Sequence, residues 1–168
     1  MKLFDRSVLT RMLLVACLVL PFAACQKEEE APQNAVQAPL AAPTTDDRQA
    51  WIAYLQDVVG RNMGGIQNQP YVYMVPAESI PDFADQYERL LEKAKTDVAR
   101  GVISGNMLAY GGHPSEKVAD LVIESFKDVQ PNSMKGVRVV FIGDASQNAR
   151  VMSTVEPTGV EYVFVEAK

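Results

Sequence analysis

The chain has 168 residues, with 16 basic and 21 acidic side chains, a single histidine and two cysteines. An acidic balance without a basic cluster argues against nucleic acid as a partner, because phosphate recognition demands grouped Lys and Arg. One histidine and two cysteines, both cysteines near the start, also argue against a structural zinc site or an iron–sulfur cluster, so no cofactor or metal is expected.

The first segment begins with Lys2, Arg6 and Arg11, continues through the apolar run Met12-Leu13-Leu14-Val15-Ala16-Cys17-Leu18-Val19-Leu20, and ends in Pro21-Phe22-Ala23-Ala24-Cys25. A charged start, a short apolar stretch and small residues before a cleavage point are the parts of an export signal. The run falls short of the about 20 apolar residues that span a bilayer, and the charged Lys27-Glu28-Glu29-Glu30 follows closely. With a cysteine directly after the small residues, the segment resembles a bacterial lipoprotein signal ending in a lipobox. That resemblance implies removal of residues 1–24, acylation of Cys25 and attachment to the membrane through lipid. Gln26 in place of an aspartate after the cysteine implies the outer membrane, with the domain facing the periplasm. An ordinary secretory signal cleaved near Ala24, leaving Cys25 as a free thiol, is the alternative.

Processing at that point leaves 13 basic and 20 acidic residues, a net charge of −7. Such a chain is repelled by anionic lipid, so the anchor has to supply the attachment; each buried acyl carbon contributes about 0.8 kcal/mol. Cys17 leaves with the signal and Cys25 is taken by the lipid, so no disulfide forms within the domain.

Residues 25–45 read as a tether carrying the lipidated Cys25. From residue 26 they combine a charge run, Pro32, Pro39 and Pro43, and few large apolar groups, too little to offset the entropy of ordering. A coil of this length averages about 25 Å end to end, and polyproline II would reach roughly 60 Å. Residues 46–168 suit one domain with its own core.

That domain opens with a helix capped by Thr45 or Asp46, with Trp51, Tyr54, Leu55, Val58 and Val59 on one face and Gly60 at its end. A polar loop follows, with Asn62, Gly64, Gly65, Gln67, Asn68 and Gln69, whose amides suit a glycan or peptide backbone or a plain connector. Residues 71–75 read as a strand. The next helix follows Pro81, with the stripe Phe83, Tyr87, Leu90, Leu91, Ala94 and Val98, and Gly101 stops it. Residues 107–110 form a second strand, then Gly111-Gly112, then a helix with Pro114 in its first turn and Val118, Leu121, Val122 and Phe126 inward. Residues 137–142 form a third strand, Asp144 and Gln147 a capping arrangement for a short helix over 145–153, and residues 161–165 the last strand. Met74, Met107 and Met152, with Tyr71, Tyr73, Tyr87 and Tyr110, are expected in packing positions.

Strands alternating with helical crossovers predict an α/β fold: a three-layer sandwich with a mostly parallel four-stranded sheet, flavodoxin-like or Rossmann-like, preceded by one helix. The nearly continuous apolar run at 137–142 marks a central strand buried on both faces. The rival is an α+β domain with the second or last strand antiparallel.

Open parallel sheets bind ligands at the carboxyl ends of their strands, above all where strand order reverses. A strand order of 2-1-3-4 would gather Glu78, Ser79, Asp144 and Ser146 there, with His113 and Ser115 beside them; these six are the candidate ligand-binding residues. Gly111-Gly112-His113-Pro114-Ser115 either lets a ligand approach the backbone or makes an ordinary strand-to-helix turn, with His113 or Ser115 as the cap. Dinucleotide and Walker fingerprints are absent, as is the Gly-x-Ser-x-Gly elbow of serine hydrolases. No catalytic residue is assigned. The expected function is a non-catalytic envelope lipoprotein that presents its domain to a protein or cell-wall partner. The alternative is a periplasmic small-molecule binder or hydrolase working at the strand ends.

Overall fold

The computed structural model describes residues 38–168. The expected export signal, the expected acylation site Cys25 and the expected tether as far as residue 37 lie outside the described residues. Four strands, β1 (Tyr71–Val75), β2 (Met107–Gly112), β3 (Arg138–Gly143) and β4 (Glu161–Glu166), alternate with α2 (Phe83–Ala99), α3 (Ser115–Phe126) and α4 (Ala145–Val155), and α1 (Arg48–Arg61) precedes them. The sheet is parallel throughout, with Tyr73 beside Tyr110, Tyr110 beside Phe141 and Phe141 beside Phe164. This is an α/β fold, and the antiparallel rival is excluded.

Strand order is 1-2-3-4, with no reversal. Right-handed crossovers repeated in one direction put every crossover helix on the same face. Accordingly Val98, Val118, Leu121, Val122, Phe126, Val151 and Val155 pack with Tyr73, Leu108, Tyr110, Val139 and Phe141 in one core. The alternate strand positions Met107, Ala109, Val140 and Ile142 meet Trp51, Tyr54, Leu55, Val58 and Val59 of α1 in a second. Period-two alternation thus sends each strand into both cores.

One helix cannot cover four strands. Outer strand axes stand about 14 Å apart at about 4.8 Å per step, and a helix with side chains is about 10 Å across. Beside β4 the gap is partly closed by the chain before α1: the Ala42 amide donates to the Lys168 carbonyl at 3.1 Å, the Leu40 amide to the Asp57 carboxylate at 3.1 Å, and the Trp51 indole to the Thr45 carbonyl at 3.0 Å. Residues 40–45, assigned to the tether on composition, therefore make defined contacts with the domain. Beside β1 nothing corresponding lies over the sheet among the described residues, and a groove of about 450 Å³ runs between that strand and α1.

Element boundaries moved for local reasons. The cap of α1 is Asp47, whose carboxylate accepts from the Gln49 and Ala50 amides at 2.8 and 3.3 Å, while Gly60 stays helical. Gly111 and Gly112 belong to β2. A Cβ on Gly111 would stand 2.4 Å from Leu55 Cδ2, and one on Gly112, at φ +127°, 2.3 Å from the Val75 carbonyl oxygen. These glycines let α1 and β1 close on β2. Met152 and Tyr71, expected in packing positions, are exposed because they fall on the outer face of α4 and at the edge of β1. Two of the loop amides bond within the fold: Asn62 donates to the Val58 carbonyl one helical turn back, and Asn68 to the Gly105 carbonyl 37 positions on.

Candidate strand-end site

A cavity of about 200 Å³ opens at the carboxyl end of β1, lined among others by Asp46, Arg48, Trp51, Pro76, Asp82 and His113. Local chemistry makes it. Pro76 ends β1, the tight β2–α3 connection presents His113 over α1, and the first turn of α1 brings Trp51 beneath that ring with centroids 6.2 Å apart and planes 24° from parallel. Residues 46 and 48 flank the Asp47 cap, so capping itself holds them at the rim.

The central polar group is the Asp46 carboxylate. One oxygen accepts from the Ser79 hydroxyl at 2.8 Å, and the other lies 3.4 Å from His113 Nδ1. Both the imidazole and the carboxylate are well exposed, so their attraction is screened by water. A Ser-His-Asp triad needs imidazole between hydroxyl and carboxylate. Here the carboxylate sits between hydroxyl and imidazole, so the Ser79 proton goes to Asp46 and not to His113. Among the described residues, no group of three His, Cys, Asp or Glu side chains stands ready for a metal ion.

The six residues singled out from sequence part company. Ser79 and His113 meet through Asp46. Ser115 is buried instead, its hydroxyl accepting from the Asp144 amide at 2.7 Å, which ties the β2 and β3 ends together. Asp144 occupies the cap position of α4 but makes no side-chain cap bond, and the capping box with Gln147 is a backbone contact only. Glu78, Asp144 and Ser146 are exposed and do not line the cavity. The physical reason is strand order: β2 stands between β1 and β3, so the crevice imagined for a 2-1-3-4 sheet does not form. Sequence reasoning missed Asp46, Arg48, Trp51, Asp82 and Gln86 at the rim. The signal for the first two was their place beside the cap of a helix whose inner face carries the chain's one tryptophan.

Burial is the main influence on the tyrosines behind the sheet. Tyr73 stacks on Tyr110 with centroids 4.7 Å apart and donates to Asp97 at 2.9 Å; burial, then that hydrogen bond, raises its hydroxyl far above the ordinary range. Burial opposes ionisation of Asp97, but hydrogen bonds from Lys93 and Tyr73 outweigh it and hold the carboxyl below its usual value. Among the described residues, no helix is long and apolar enough to cross a membrane. The chain matches no protein-family model, no curated protein and no solved structure.

Proposed function

We propose that this chain is an acylated lipoprotein of the cell envelope, anchored at Cys25 in the outer membrane and facing the periplasm, whose domain binds a protein or cell-wall partner without transforming it. The observation that carries binding over catalysis is the Asp46 carboxylate standing between Ser79 and His113. The size of the cavity supports the same reading. Sites for drug-sized molecules and cofactors run to about 300–1,000 Å³, whereas about 200 Å³ receives a single side chain or a small protruding group. Arg48, Asp82, Gln86 and His113 offer that group charges and hydrogen bonds of both kinds, against an apolar wall of Pro76 and Ile80.

The test has two arms. Growth with a fatty-acid analogue should label the chain, and Cys25→Ser should abolish the label. A photo-crosslinking residue at Ala77, on the cavity wall, should then yield one dominant adduct in intact cells, and that adduct should diminish with His113→Ala. A wholly soluble, unlabelled chain defeats the anchored reading. The absence of any adduct defeats the binding one.

A further inference from the structure

The two edges of the sheet differ. β4 carries Glu161 and Glu166 at its ends, a common guard against edge-to-edge pairing, and Glu161 is ion-paired to Arg138. β1 is Tyr71-Val72-Tyr73-Met74-Val75, with no charge on the strand; Tyr71 and Val72 are 41% and 46% exposed. Its other side pairs with β2, so one row of its backbone N–H and C=O groups has no strand partner among the described residues. Pro70 and Pro76 bracket that row.

Next to this edge lies the groove left by the single helix α1, walled by Ile52, Leu55, Val59, Met63, Val72 and Met74. Arg48 is the cation that lines the groove, and Lys93 of α2 stands on the opposite face of the same edge. Arg48, at the Met74 end, makes no ion pair or hydrogen bond among the described residues, and it lines both the groove and the strand-end cavity. Lys93 flanks Tyr71 and Val72 at the other end, over the Tyr73 ring and paired to Asp97 behind it. Among the described residues no acidic side chain lines either recess, although the chain as a whole carries a net charge of −5.

We propose that the open edge of β1 and its groove receive an extended, acidic segment of a partner protein, which adds a fifth strand to the sheet. Strand addition supplies main-chain hydrogen bonds, and alternate side chains of the added segment enter the apolar groove. An acidic residue at the Met74 end meets Arg48, and acidic residues that alternate to the opposite face pass Lys93. A second copy of this chain is a poorer occupant. Antiparallel pairing of two β1 edges would bring Arg48 of each copy towards the Lys93 end of the other, where the Asp97 carboxylate is already held by Lys93 and Tyr73 and leaves Arg48 no free acidic partner. The proposal rests on the reading of the domain as a binding module and specifies the form of its partner.

The experiment uses the full chain in detergent and three synthetic nine-residue peptides: alternating valine and glutamate, alternating valine and lysine, and alternating glycine and glutamate. Fluorescence anisotropy should detect the valine–glutamate peptide, with at least tenfold weaker binding of the other two. Amide exchange should slow at residues 71–75 on binding. Val72→Lys and Arg48→Glu should each weaken binding by about tenfold or more, with circular dichroism confirming that both variants fold. Ile103→Ser, which removes an exposed apolar side chain that lines neither recess, should leave binding unchanged. Equal binding of the lysine peptide, or binding indifferent to Val72→Lys, would overturn the proposal. Loss on His113→Ala alone would move the contact to the strand-end cavity, leaving the binding module standing and the added strand refuted. Sedimentation of the unliganded chain as a dimer that Val72→Lys dissociates would give the edge to a second copy and overturn it as well.

Discussion

Replacement of Gly111 by alanine is the sharpest probe of how α1 sits on the sheet. The new methyl carbon would lie 2.4 Å from Leu55 Cδ2 and 3.3 Å from Ile142 Cβ. Carbon atoms rest at about 3.5–4.0 Å, so Leu55 has to retreat by more than about 1 Å. Leu55 is 2% exposed and gives way only on the side where it walls the groove beside β1, and Ile142 is fully buried. Overpacking of this kind costs about 1–3 kcal/mol, a large share of the about 5–15 kcal/mol that holds a domain together. At roughly 3–5 °C per kcal/mol for a domain of this size, the melting temperature should fall by about 3–15 °C. Trp51 is the only tryptophan and lies on the buried face of α1, so its fluorescence reports undocking of that helix directly, with circular dichroism as the global measure. Leu55→Ala alone should cost about 2–5 kcal/mol for the cavity it leaves. Combined with Gly111→Ala, the added methyl occupies part of that space, so the double variant should be more stable than the sum of the two losses by about 1 kcal/mol or more. A Gly111→Ala variant as stable as the parent, with strictly additive behaviour in the double variant, would refute the close-approach role of this glycine.

Tyr110 has a fully buried hydroxyl without a hydrogen bond of ordinary geometry, so Tyr110→Phe should be neutral or stabilising by about 1 kcal/mol in urea denaturation; a large loss would reveal a partner for the hydroxyl. Ser115→Ala should destabilise by about 1–2 kcal/mol, because the Asp144 amide loses its acceptor, and unchanged stability would remove the clasp between the β2 and β3 ends. Asp97 has its pKa lowered in the folded state, so its contribution is present above the ordinary carboxylate range, about 3.9, and is lost as pH falls through the lower folded value. Melts between neutrality and acid should therefore show a shallower acid decline for Asp97→Asn than for the parent; parallel declines would show that the Lys93–Asp97–Tyr73 cluster carries no linkage. His113→Ala should change stability by less than about 1 kcal/mol, since the Asp46 contact is exposed, and a larger loss would make the strand-end site a structural element.

Local patterning was sufficient to read the elements and their inner faces. The i, i+3, i+4 spacing of Trp51, Tyr54, Leu55, Val58 and Val59 marked the buried side of α1, and Val118, Leu121, Val122 and Phe126 that of α3, because both rest on helical period alone. The apolar run 137–142 identified an interior strand for the same local reason: β3, between two neighbours, has both faces covered. Strand order was not legible, since 1-2-3-4 and 2-1-3-4 sheets demand the same hydrophobic alternation of each strand. Everything that depends on order was therefore decided by tertiary structure: three helices on one face, one on the other, a groove left open beside β1, and β2 interposed between the two ends expected to share a crevice. The meeting of Ser79 and His113 on Asp46 belongs to the same class, because residues 33 positions or more apart are brought together only when α1 docks across the sheet. Gly111 and Gly112 show the limit most plainly: their composition suits a ligand turn and a packing contact alike, and only the positions of Leu55 and Val75 in space decide for packing.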